Sequence, residues 1–145
     1  MKTYKIYTAG KMGGLPLYQQ MEWRMKLEQL VKTQTNEIVQ FIHPPMFYTY
    51  GGNKHKTDDE VREWDLAQVR DSDIVVFDLS TISSSIGTIM ELATVAAMNQ
   101  FGNKHIFAVG VGKPDTDHPW IGSCLIRQED TLEDAARFIL DYLLV

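Results

Sequence analysis

The chain has 145 residues, 44% of them hydrophobic, and a net charge of −5 from 14 basic and 19 acidic side chains. That length suits one domain, at the usual ~100–200 residues each, spanning residues 1–145 with a substantial core; the acidic balance without a basic face excludes a nucleic acid polymer as partner. The one cysteine, Cys124, excludes an internal disulfide and fits a reducing compartment. The N-terminus lacks the apolar core of a signal peptide and no apolar run has the length of a membrane span, so a cytoplasmic protein with no membrane partner is expected.

In chain order, Tyr4 to Ala9 reads as a first strand, followed by the glycine-rich turn Gly10–Gly14. A helix is expected from about Leu15-Pro16, because proline is tolerated in a first turn and Leu17, Met21, Met25, Leu27, Leu30 and Val31 roughly follow helical spacing. Glu37 to Ile42 is a second strand, ended by His43-Pro44-Pro45. The next stretch, with Met46, Phe47, Tyr48, Tyr50, Gly51 and Gly52, is long for a connection and is a candidate substrate lid. Thr57-Asp58-Asp59-Glu60 matches a capping box and starts another helix. The apolar Ile74 to Leu79 run is a third strand, and a serine-rich turn leads into a helix from about Ile86. Lys104 to Gly110 reads as a fourth strand and Ile121 to Ile126 as a short fifth, with Thr131 capping a last helix through Leu144. Alternating strands and helices imply an α/β fold: a doubly wound, mostly parallel sheet of about five strands with helices on both faces. Ligands bind such sheets beyond the carboxyl ends of the strands.

The chemistry concentrates on two carboxylates. Glu91 is the one ionisable residue between Leu79 and Asn103, in a helix that is apolar nearly all round and therefore expected to pack on both sides. A lone carboxylate there is costly unless it is used or paired, whether in catalysis or with a buried arginine. Asp65 shares a helical row with Val61 and Val69, so it faces the core or a pocket wall unless that helix is simply solvated. Two carboxylates in unequal environments suit glycosidic chemistry, one attacking or stabilising an anomeric carbon and the other handling protons. The Gly10–Gly14 turn, with Lys11, opens a helix N-terminus that favours anions, but it has neither a P-loop nor a dinucleotide-binding spacing. Ser83 to Ser85, leading to Gly87, lie at a second such terminus; capping alone would account for one of them. His43 ends a strand within reach of a pocket, although a satisfied loop histidine is the plainer reading. His55, His105 and His118 complete a set without metal-ligand spacing.

Three segments carry a family resemblance: I-Y-T-A-G at Ile6–Gly10, D-L-A-Q-V-R-D-S-D at Asp65–Asp73, and S-I-G-T-I-M-E-L-A at Ser85–Ala93. In these the chain resembles nucleoside 2-deoxyribosyltransferases and the related 2'-deoxynucleoside 5'-phosphate N-hydrolases, over roughly its first two thirds. The resemblance implies a flavodoxin-like sheet, cleavage of the N-glycosidic bond of a deoxynucleoside or deoxynucleotide, and exchange with a free nucleobase. It implies Glu91 as the nucleophile, Asp65 assisting proton transfer to the departing base, and Tyr7 orienting Glu91. It further implies a substrate pocket drawing on Gly10, Lys11, Ser85 and Gly87, no cofactor, and a homo-oligomer. Ser85 stands six residues before Glu91, where many of the transferases have aspartate; with Lys11 it resembles the nucleotide hydrolases, in which the serine helps bind a 5'-phosphate. Three functional classes are therefore expected: a deoxyribosyltransferase first, a deoxynucleotide N-hydrolase second, and a non-catalytic nucleotide-binding module third.

Overall fold

The computed structural model describes residues 2–49 and 55–145. Apolar, β-branched runs form the strands β1 (Thr3–Ala9), β2 (Ile38–Ile42), β3 (Ile74–Asp78) and β4 (Phe107–Val111), and a short β5 (Arg127–Glu129) completes the sheet. All neighbouring strands pair in parallel, in the order β2-β1-β3-β4-β5. This is the flavodoxin-like order, in which winding reverses between β1 and β3 and opens a crevice at their carboxyl ends.

The helices are α1 (Leu17–Lys32), α2 (Pro44–Thr49), α3 (Asp58–Arg70), α4 (Ile86–Phe101), α5 (Pro119–Ser123) and α6 (Leu132–Phe138). Strand alternation sends Tyr4 and Ile6 to one face of the sheet, where they pack with Leu27 and Val31 of α1 and Ala135 and Ala136 of α6. Tyr7 and Ala9 go to the other face, against Val69 of α3 and Leu92 and Val95 of α4. The central residues Ile6, Val75, Val76 and Phe77 are fully buried, each such side chain stabilising the fold by about 1.5–3 kcal/mol. The expected capping box is present: Glu60 N–H donates to Thr57 Oγ1 at 3.2 Å and Thr57 N–H to Glu60 Oε2 at 3.0 Å. Thr131 caps α6 by accepting from Asp134 N–H at 3.1 Å. Among the described residues, no helix is long and apolar enough to cross a membrane.

Three expectations are corrected. The fifth strand is not Ile121 to Ile126: Pro119 begins a helix there, with His118 Nδ1 accepting from Trp120 N–H at 3.3 Å, and the strand follows at Arg127–Glu129. An edge strand needs only one partner and tolerates three polar residues, which an apolar pattern does not reveal. Met46, Phe47 and Tyr48 of the expected lid belong to α2, while Tyr50, Gly51 and Gly52 lie outside the described residues. Finally, α4 packs on one side only. Thr88, Glu91, Leu92 and Val95 are buried in a helical row, while Ile86, Ile89, Met90 and Phe101 remain exposed.

Candidate active site

The turn after β1 and the segment between β3 and α4 meet at the crevice, which is where the topology directs a ligand. A cleft of about 370 Å³ lies there, bordered by Gly10, Lys11, Asp65, Ser85, Gly87 and Glu91. An adjoining cavity of about 350 Å³ shares Asp65, Gly87 and Glu91 and runs along α3 past Val61 and Arg62. Most of the residues singled out in the sequence therefore converge on one place, although they come from β1, α3 and α4.

Glu91 points from the buried row of α4 into this cleft and is only 9% exposed. Burial is the main cause that pushes its carboxyl up to about 8; the nearby Asp65 charge adds to the rise, and Tyr7 and Arg24 oppose it. Tyr7, fully buried on the same face of the sheet, is itself raised, first by burial and then by the charges of Glu91 and Asp65. The two groups are close enough to shift each other's ionisation, yet Tyr7 Oη and Glu91 Oε2 are buried without a hydrogen-bond partner of normal geometry among the described residues.

Asp65 forms the other wall. Burial raises it to about 6, against the opposing hydrogen bond from Tyr48, whose hydroxyl donates to Asp65 Oδ1 at 2.5 Å. Tyr48 reaches Asp65 because α2 is clamped onto α3: the Phe47 and Trp64 rings lie 4.3 Å apart between centroids, and Tyr48 meets Trp64 edge-on at 6.2 Å. Such aromatic pairs contribute about 0.5–1.5 kcal/mol each beyond area burial.

At the mouth, Lys11 Nζ donates to Ser84 Oγ at 3.0 Å. Ser85 is buried, and its hydroxyl shares a 2.6 Å hydrogen bond with Thr88 Oγ1 instead of capping α4 through the backbone. Gly87 leaves open space where a side chain would stand.

His43 is not brought to the cleft. It is buried on the α1 face, with Nδ1 2.8 Å from Thr8 Oγ1 and Nε2 3.3 Å from Glu28 Oε1. Two residues outside the expected set of site residues stand out instead. Tyr48 falls in the expected lid, with nothing local to tie it to Asp65. Arg24 is fully buried, and its signal was available: it falls on the Met21–Leu27–Val31 stripe of α1, where a charge is out of place. Among the described residues, no cluster of three or more histidine, cysteine, aspartate or glutamate side chains is arranged to hold a metal ion.

No family model matches the sequence, and no curated protein matches it. Solved structures do. A conserved protein from Enterococcus faecalis V583 superposes with a TM-score of 0.70 at 16% identity, over 94% of this chain and 96% of that one. A 2-deoxyribosyltransferase from Bacillus psychrosaccharolyticus gives 0.66 at 16% identity, over 95% and 91%. A 2-deoxyribosyltransferase from Leishmania mexicana gives 0.53 at 16% identity, over 96% and 98%. At that identity the likeness is one of fold.

Proposed function

We propose that this protein cleaves the N-glycosidic bond of a 2'-deoxynucleoside or deoxynucleotide through a covalent Glu91 intermediate and passes the deoxyribose to another nucleobase. The observation that carries this reading is the pair of carboxyls facing one cleft, with Glu91 raised to about 8 and Asp65 to about 6. Between those values the pair holds about one proton, which rests mainly on Glu91, so the reacting form is the minor one in which that proton has passed to Asp65. The fold shared with two 2-deoxyribosyltransferases supports the substrate class.

In the first step, ionised Glu91 attacks the anomeric carbon. A C–O bond forms as the C–N bond breaks, and the bonding pair leaves with the base. Protonated Asp65 supplies the proton that neutralises that base. Tyr7 donates to the Glu91 carboxylate and holds it in line once a substrate has closed the site. In the second step a free base attacks the same carbon, its N–H proton passes to the Asp65 carboxylate, and the C–O bond breaks to release ionised Glu91.

A second reading, a 2'-deoxynucleoside 5'-monophosphate N-hydrolase in which water intercepts the intermediate, is supported by Lys11. Its ammonium lies at the cleft mouth, held 3.0 Å from Ser84 Oγ and next to Ser85. A 5'-phosphate there would gain charge-assisted hydrogen bonds.

The test incubates the protein with deoxynucleosides and their 5'-monophosphates, with and without a second free base, and separates the products by chromatography. Base exchange is expected. Free deoxyribose 5-phosphate regardless of added base establishes the hydrolase instead. Glu91→Gln should lower either activity by several orders of magnitude, since a covalent step disappears; near-normal turnover removes Glu91 as nucleophile.

A further inference from the structure

Arg24 is an anomaly that the proposed reaction does not use. It is fully buried, on the α1 face of the sheet, opposite the face that carries Tyr7. A buried charge is normally paired with an opposite one. Among the described residues no carboxylate lies within ion-pair distance of it. Its partners are neutral oxygens: Nε donates to Thr8 Oγ1 at 3.1 Å, Nη2 to the Gly10 carbonyl at 3.1 Å, and Nη1 to the Gln20 carbonyl. Trp23 stacks beneath, with the guanidinium carbon 4.8 Å from its ring centroid.

The anchoring continues outward with a defined proton order. Arg24 can only donate, so Thr8 Oγ1 accepts from it and has a single proton left to give. The nearer acceptor is His43 Nδ1 at 2.8 Å, against 3.4 Å for the Ile42 carbonyl. The Glu28 carboxylate, 3.3 Å from Nε2, can only accept, so Nε2 carries a proton and a neutral ring leaves Nδ1 to accept from Thr8 Oγ1. Burial, which lowers the His43 pKa, favours the same neutral form. The result is a fixed guanidinium linked to the cleft through Gly10, a residue of the cleft wall. A side chain would be crowded there: a Cβ on Gly10 would lie 2.8 Å from Trp23 Cζ2 and 3.5 Å from Arg24 Nη2.

We propose that Arg24 is a positioning residue for the reaction inferred above: the buried counter-charge of the Glu91–Asp65 pair, acting past Gly10 at the carboxyl end of β1 and held in place by Thr8, His43 and Glu28. The charged and titratable groups that feel it come from every side: Tyr7 of β1, Asp78 at the end of β3, Asp65 of α3, Glu91 of α4, and His43 after β2. Burial pulls Arg24 itself down only to about 10, so it stays charged throughout the working range. In a dry interior such a charge acts over distances that water would screen. Placing it behind the sheet leaves the cleft free for substrate, while the missing direct ion pair leaves Glu91 free to react.

The experiment reads Glu91 directly, without relying on activity. Carboxyl-¹³C glutamate is incorporated, the Glu91 resonance is identified by its loss in Glu91→Gln, and its titration midpoint is followed in the wild type, Arg24→Met and Arg24→Lys. Arg24→Met should move the midpoint upward by about one pH unit, a tenfold weaker acid, and Arg24→Lys should keep it near the wild-type position. An unmoved midpoint in folded Arg24→Met overturns the proposal. If Arg24→Met does not fold, Arg24→Gln is read in the same way, and failure of both to fold makes Arg24 a folding determinant and overturns it too. A shifted midpoint in a protein without glycosidic activity keeps the counter-charge and removes the reaction; activity with an unmoved midpoint does the reverse.

Discussion

Glu91 sits where a carboxylate is least comfortable, and the cost has a sign. Its folded-state pKa, about 8, lies above the ordinary glutamate value of about 4.3. The folded protein therefore binds this proton more tightly than the unfolded chain does. Stability contributed by the neutral carboxyl is full below the unfolded value and is lost as pH rises towards 8. Glu91→Gln keeps the shape and abolishes the ionisation. It should melt above the wild type at pH 8, by on the order of 5 °C, with the gain vanishing near pH 5. Differential scanning fluorimetry across that range checks it; a gain that does not depend on pH contradicts the buried, titrating Glu91. A stabilised but inactive variant is what a strained catalytic group predicts.

At the scale of elements, the site depends on the close approach of α1 to the end of β1. Gly10 is the contact point. A methyl group there meets Trp23 Cζ2 at 2.8 Å and Asp78 Cβ at 3.2 Å, neither of which is the free end of a flexible chain. Gly13, three residues on, borders the same cleft, and a methyl group added to it would have nothing within 4 Å. Gly10→Ala should thus destabilise the protein by ~1–3 kcal/mol and lower activity, because α1 must move and take Arg24 with it. Gly13→Ala should leave stability nearly unchanged. Urea denaturation of the two variants makes the comparison, and equal midpoints would show that the turn yields more readily than its packing implies.

At the scale of the whole molecule, α4 leaves an unusual surface. Ile86 and Phe101 are 75% and 79% exposed, with Ile89 and Met90 between them. The same flank continues into an apolar groove of about 450 Å³ that includes Ile89, Trp120, Ile121 and Cys124. Exposed apolar area of this kind marks an interaction site. It also borders the proposed site, since Met90 and Gly87 help line the cavity next to Glu91. A second copy of the chain is the partner expected, covering α4 and closing the cleft in the same step. Sedimentation velocity at micromolar concentration should show a dimer or larger assembly, and Ile89→Glu should dissociate it; a stable wild-type monomer removes this expectation.

Much was legible in the sequence because side-chain periodicity reports which face of an element is buried. The apolar runs marked β1, β3 and β4, and Thr57 and Thr131 marked their helix starts. Glu91 stood out as a lone charge in an apolar helix, and Asp65 as a polar member of the Val61–Val69 row. These are local facts, decided within one or two turns of chain. Partnerships across the fold were not local. Tyr48 found Asp65 because α2 packs on α3, His43 turned to Thr8 and Glu28 because β1 and β2 are neighbours, and β5 was a polar edge that needed β4 beside it. The sequence by itself determined the α/β alternation and which carboxylates were out of place. Only the tertiary structure decided what surrounds them, above all the Arg24 charge behind the sheet, because burial, dielectric and distance are properties of the packed fold.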